Sequence, residues 1–136
     1  MIGWIILAVV AVPVLGGLGY FMWRWKRPPK LKQDVFKTQW QELQKLLRNK
    51  DRWDVALIQA DHLVDLALRK NRFRGGSMGE RLVKAQKIFT DNDGVWFAHK
   101  LRKAIEGEPE LKLKEKDVKE ALVAIRQGLR DLGALK

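Results

Sequence analysis

Twenty-three residues without a charged side chain, MIGWIILAVVAVPVLGGLGYFMW, open the chain and run straight into the basic stretch RWKRPPKLK. No other feature constrains the fold so tightly. An apolar run of about 20 residues crosses the hydrocarbon core of a bilayer as a helix. Lys and Arg behind such a run are retained on the cytoplasmic side. The junction predicts a single-pass transmembrane anchor over residues 1–23, with Met1 outside and everything after Arg24 in the cytoplasm. A cleaved signal peptide carries its positive charge before the apolar stretch and small residues at the cleavage site. Here the charge follows, and Gly19-Tyr20-Phe21 is a poor cleavage context. A buried core helix is rarely so uniformly apolar. Trp4 at one end and Tyr20, Trp23 and Trp25 at the other suit aromatic belts at the two interfaces. Pro13 predicts a kink, and the run holds no Gly-xxx-Gly pair to favour a helix dimer.

Residues 24–32 form a basic, proline-containing linker. Arg24, Lys26, Arg27, Lys30 and Lys32 precede the first acid, Asp34, and are read as contacts to anionic lipid headgroups. Pro28-Pro29 cannot continue a helix and stiffens the connection. Setting those five charges aside lowers the net charge from +11 to +6 on residues 33–136. So basic a chain wants anionic neighbours: lipid, nucleic acid or an acidic protein. With no cysteine, disulfides and Cys-ligated zinc are excluded, and His62 and His99 do not build a metal site alone. No cofactor is expected: the chain has no Gly-rich phosphate loop, nucleophile motif or metal-ligand cluster.

Residues 33–136 are one cytoplasmic domain, large enough to bury a core without staples. Helical periodicity dominates it. Phe36, Trp40, Leu43, Leu46 and Leu47 share one helix face, ending near Asn49-Lys50. Asp51 is the expected cap of a second helix, whose stripe is Trp53, Leu57, Ala60, Val64, Ala67 and Leu68. Its apolar face is broad enough to be central. The segment RKNRFRGG, Arg69 to Gly76, reads as a basic loop closed by flexible glycines. Ser77 and Glu80 match a capping box for a third helix carrying Leu82, Val83, Ile88 and Phe89. Asp91-Asn92-Asp93-Gly94 turns into a fourth helix that Gly107 and Pro109 end. A fifth begins near Glu115, buries Val118, Ala121, Leu122, Ile125, Leu129 and Leu132, and stops at Gly133. The fold class expected is all-α: an antiparallel bundle of four to five helices plus the N-terminal transmembrane helix.

Four segments in order carry a family likeness. Trp53 to Leu68 reads W-x-x-A-x-I-x-A-D-x-L-x-D-x-x-L; Ser77 to Leu82 reads SMGERL; Val95 to Ile105 reads VWFAHKLRKAI; Leu129 to Leu135 reads LRDLGAL. Together they resemble small bacterial HEPN-like helical domains, over about residues 35–135. The resemblance implies a helical bundle, a homodimer, a bacterial inner-membrane location for the anchor, and in many members RNase chemistry. That chemistry rests on R-x(4–6)-H, in which Arg stabilises the phosphate in flight and His moves a proton or positions the 2′-oxygen. Arg102 matches the Arg. The positions that would hold the His are Gly107, Glu108 and Pro109, and the Asn after the Arg is Lys103. The pair is degenerate, so no catalytic residue is assigned and the chain is not expected to be an enzyme. His99 matches the other histidine of the family segment, ahead of the Arg. A helical wheel set on the apolar residues puts Arg102 at the edge of the core stripe and His99 further out, as a partly exposed or capping side chain. Arg102 at that boundary would pair with an acid, and Asp61 beside the second helix's stripe is the partner expected.

Two functions remain open. One is a membrane-anchored, non-catalytic scaffold or adaptor for an unidentified protein partner. The other is RNA binding without cleavage, through Arg69, Lys70, Arg72 and Arg74 with Phe73 as a stacking aromatic and Arg102 as a retained phosphate contact. Residual RNase activity through His99 is the least favoured.

Overall fold

The computed structural model describes residues 31–136. The expected transmembrane segment and the lipid-contact residues Arg24, Lys26, Arg27 and Lys30 lie outside them. Among the described residues, no helix is long and apolar enough to cross a membrane.

Five α-helices and no strand make up the described chain: α1 (Gln33–Leu46), α2 (Trp53–Lys70), α3 (Met78–Ala85), α4 (Asn92–Gly107) and α5 (Glu115–Asp131). A 3-10 turn, Lys50–Arg52, leads into α2. Helix α2 is the hub. It packs on α1, α3, α4 and α5, and α4 packs on α5. The helical stripes expected from the sequence are the core: Phe36, Trp40 and Leu43 from α1, Leu57, Ala60, Val64, Ala67 and Leu68 from α2, and Val118, Ala121, Leu122, Ile125 and Leu129 from α5 are all buried.

Side-chain hydrogen bonds fix which ends of the helices meet. Gln33 Nε2 donates to Gly133 O at 3.2 Å. Asn71 Nδ2 donates to Ala67 O and Leu132 O, both at 2.9 Å. Thr90 N donates to Asp131 Oδ2 at 2.8 Å. The start of α1, the end of α2, the start of α4 and the end of α5 therefore share one end of the bundle. The turns at 47–52 and 108–114 lie at the other. The four long helices thus alternate in direction, and the short α3 is inserted between α2 and α4.

Three local expectations are corrected. Asp51 does not cap α2; Asn49 Oδ1 accepts from Asp51 N at 3.1 Å and caps the 3-10 turn instead. The capping box at Ser77 is shifted by a residue. Ser77 Oγ accepts from Glu80 N as expected, but Glu80 Oε2 accepts from Gly76 N, at 2.6 Å, rather than from Ser77 N. Helix α3 ends at Ala85, so Ile88 and Phe89 follow it in a turn. Phe89 still reaches the core, while Ile88 and Val83 are exposed.

Helices α2 and α5 end in the same hydrogen-bond pattern with different residues. After α5, Gly133 at φ +77° lets its N–H reach Arg130 O, and Ala134 N reaches Leu129 O. After α2, Arg72 stands at φ +67°, its N–H on Arg69 O and Phe73 N on Leu68 O. Both are Schellman closures, which favour glycine at the left-handed position. A side chain there costs about 1–2 kcal/mol, partly offset by the greater unfolded-state entropy of glycine. Arg72→Gly is expected to stabilise the fold by about 0.5–1 kcal/mol, read from the midpoint of urea unfolding. A loss of stability would show that the Arg72 side chain makes a compensating contact.

Candidate functional site

The wheel that placed His99 outward was set on the wrong face. The residues of α4 that turn inward are buried Val95, Ala98, His99 and Ile105, with half-buried Arg102 at the edge of the same register. Helix α2 does the same with Leu57, Ala60, Asp61, Val64 and Leu68. The polar residues of the two helices meet. His99 is 4% exposed, not a surface or capping side chain, and Asp61 is 1% exposed. His99 Nδ1 lies 2.9 Å from Asp61 Oδ2. A carboxylate only accepts, so Nδ1 carries the hydrogen. The ring of Trp96 meets that of His99 edge-on, centroids 5.9 Å apart.

Arg102 joins the same carboxylate, as its position in the sequence suggested. Its Nε lies 2.5 Å from Asp61 Oδ2. That approach is an ion pair without hydrogen-bond alignment, since Arg102 Nε and Asp61 Oδ1 both lack a hydrogen-bond partner among the described residues. Arg102 Nη1 donates to Glu106 Oε1 at 2.9 Å. Exposed His62 stands 3.9 Å from the same Glu106 oxygen. The remaining positions of the degenerate motif are not brought to this cluster. Lys103 is exposed, and Gly107 and Glu108 are exposed at the end of α4, beyond the turn where Arg102 pairs. Chemically, the arrangement is a buried helix–helix linkage. His99 and Arg102 of α4 both reach the Asp61 carboxylate of α2.

A second network lies one turn along α2. Asp65, buried, accepts from Arg81 Nε at 2.6 Å and Arg81 Nη2 at 3.0 Å, a bidentate pair. Arg69 Nη2 reaches Asp65 Oδ2 at 2.9 Å. Arg81 Nη1 donates to Gly75 O at 2.7 Å. Arg81 carries no motif of its own in the sequence. The available signal was its place in SMGERL, one helical turn past the Ser77 cap.

This network changes the meaning of the basic loop. Gly75 is tied by its carbonyl to Arg81, and Gly76 by its N–H to Glu80, so the glycines are pinned rather than flexible. Phe73 packs against the core and is not a free stacking platform. Arg69 and Lys70 belong to the last turn of α2 rather than to the loop. What projects is Lys70, Arg72 and Arg74, exposed and without an acidic partner among the described residues. Arg72 and Arg74, with Arg69 and Arg81, line an open concavity of about 460 Å³ together with Phe73 and Gly75. Arg102 is not part of it, so the RNA-contact set read from the sequence splits into a surface corner and a half-buried, ion-paired residue.

Comparison of the chain with family models, with characterised proteins and with solved structures returns no match.

Proposed function

We propose that the chain is a membrane-anchored, non-catalytic helical module that holds a partner at the bilayer. The observation that carries this reading is the commitment of buried His99 and half-buried Arg102 to Asp61 at the α2–α4 contact. A phosphodiester-cleaving site needs a titrating group and a phosphate-stabilising cation that both reach substrate. Here the two residues of that type hold α4 to α2. The HEPN-like resemblance stands beside this reading as a proposal about ancestry and names a second copy of the chain as the first partner to seek. Phe97 and Val123, 37% and 70% exposed, line a shallow groove between α4 and α5 and are the apolar surface such a pairing would use.

Incubation of the detergent-solubilised full chain with a labelled single-stranded RNA is expected to leave the RNA intact. Cleavage that co-purifies with the chain and disappears in His99→Gln, with the helical circular dichroism retained, would overturn the non-catalytic reading.

RNA binding without cleavage is the second reading, favoured by Lys70, Arg72 and Arg74, exposed and without an acidic partner among the described residues. It requires an affinity that falls steeply with salt and falls further in Arg72→Ala/Arg74→Ala. The packed position of Phe73 weighs against a stacking mode.

A further inference from the structure

The basic corner and the incoming chain lie at the same end of the bundle. Leu31 is buried, Gln33 bonds to Gly133, and Leu132 bonds to Asn71, the residue before Arg72. The first described residues and the Arg72 loop are thus joined through the last turn of α5. Between Trp23, the last residue of the apolar run, and Leu31 lie eight residue steps. At about 3.3–3.6 Å per residue, they span at most roughly 26–29 Å. Resting on the anchor reading, this reach keeps the Arg72 end of the domain close to the bilayer and the 108–114 turn away from it.

We infer that the α2–α3 corner, with Arg69, Arg72 and Arg74, is a docking surface for the anionic headgroup layer of the membrane in which the chain is anchored. Charge complementarity carries the occupant. The nearby carboxylates are engaged within the corner: buried Asp65 on Arg81 and Arg69, and exposed Glu80 on Gly76 N. Exposed Lys32 extends the positive surface toward the linker, where Arg24, Lys26, Arg27 and Lys30 continue it in sequence. Each basic residue held at an anionic surface strengthens association about fivefold, and tethering removes the cost of finding that surface. The loop is also preorganised. Arg81 and Glu80 fix its backbone, and Arg72 is held in a left-handed conformation that glycine would adopt at lower cost. Strain of that kind persists where the side chain is wanted in place. Asp91 and Asp93 stand at the same end, at the start of α4. The attraction is therefore one-sided and tilts the domain with the α2–α3 corner toward the lipid.

The test uses the full chain in lipid nanodiscs. Its lack of cysteine makes a single introduced label unambiguous. A fluorophore is placed on Lys70→Cys, which leaves the three arginines, or on Lys112→Cys in the far turn. Quenching by a headgroup-labelled lipid is compared in phosphatidylcholine discs with and without phosphatidylglycerol. The label at 70 is expected to be quenched several-fold more in the anionic discs, and the label at 112 to be unaffected in both. Arg72→Glu/Arg74→Glu is expected to abolish the difference, and Arg72→Lys/Arg74→Lys to retain it, with unchanged circular dichroism in each. Equal quenching at 70 and 112, indifference to phosphatidylglycerol or to the charge reversal, or release of the corner by added single-stranded RNA at physiological salt would overturn the docking surface. A chain that fails to enter the discs overturns the anchor instead, a separate result read from their co-elution.

Discussion

Asp61→Ala is expected to cost the fold about 3–5 kcal/mol, the usual consequence of removing one partner from a buried charged cluster. The substitution strips the common acceptor from His99 and Arg102 and leaves a guanidinium at the α2–α4 contact with only Glu106. Against a total stability of about 5–15 kcal/mol for a domain, that is a large fraction. Urea unfolding followed by far-UV circular dichroism measures it. The companion variant Asp61→Leu/His99→Leu/Arg102→Met replaces the whole cluster with apolar side chains. It is expected to unfold near the wild-type midpoint or above it, because the desolvation of all three groups is removed together. A loss below about 1 kcal/mol in Asp61→Ala would mean that water or Glu106 takes over the role of the carboxylate.

Gly94→Ala is the second large effect, about 2–4 kcal/mol, through sterics rather than charge. A Cβ at Gly94 would sit 2.8 Å from the Cβ of Ala124 on α5 and would displace the carboxylate of Asp91. That carboxylate is the N-cap of α4, accepting from Gly94 N at 3.0 Å. The added methyl therefore loosens the cap and wedges α4 from α5 at once. Pairing it with Ala124→Gly relieves the second clash and not the first. The double variant should recover part of the loss in a double-mutant cycle of unfolding free energies. Full additivity of the two substitutions would contradict the close approach.

The helices were legible because Phe36 to Leu43, Leu57 to Leu68 and Val118 to Leu132 repeat their apolar residues at the helical period, and tertiary packing used that face in each case. The same rule misplaced His99. An apolar wheel assigns a face by hydrophobic residues alone, whereas the inner face of α4 is completed by His99 and Arg102 and that of α2 by Asp61. Polar residues inside a core register are visible only once their partner on another helix is known. Arg102 escaped the error because an Arg at a core boundary commonly pairs with an acid, and Asp61 was within reach of that argument. The basic corner was legible as charge but not as shape. Its glycines and Phe73 read locally as a flexible loop with a free aromatic, and only Arg81, reaching across from α3, converts it into a fixed one. Caps depended on offsets of one or two residues: Asn49 rather than Asp51, and Gly76 rather than Ser77 as the donor to Glu80.

The hydrogen bond from Gln33 to Gly133 also fixes how the chain can be rewired. The two ends of the described fold lie within reach of one side chain, the condition under which circular permutation is tolerated. Joining residue 136 to residue 31 through a short Gly-Ser segment and opening the chain at the exposed Glu110 would leave every helix and its packing in place. The first 30 residues, with the apolar run proposed as the anchor, would then be attached to the far turn. On the proposed anchor, the domain would hang upside down from its tether, its arginine corner turned away from the bilayer, with an unaltered core.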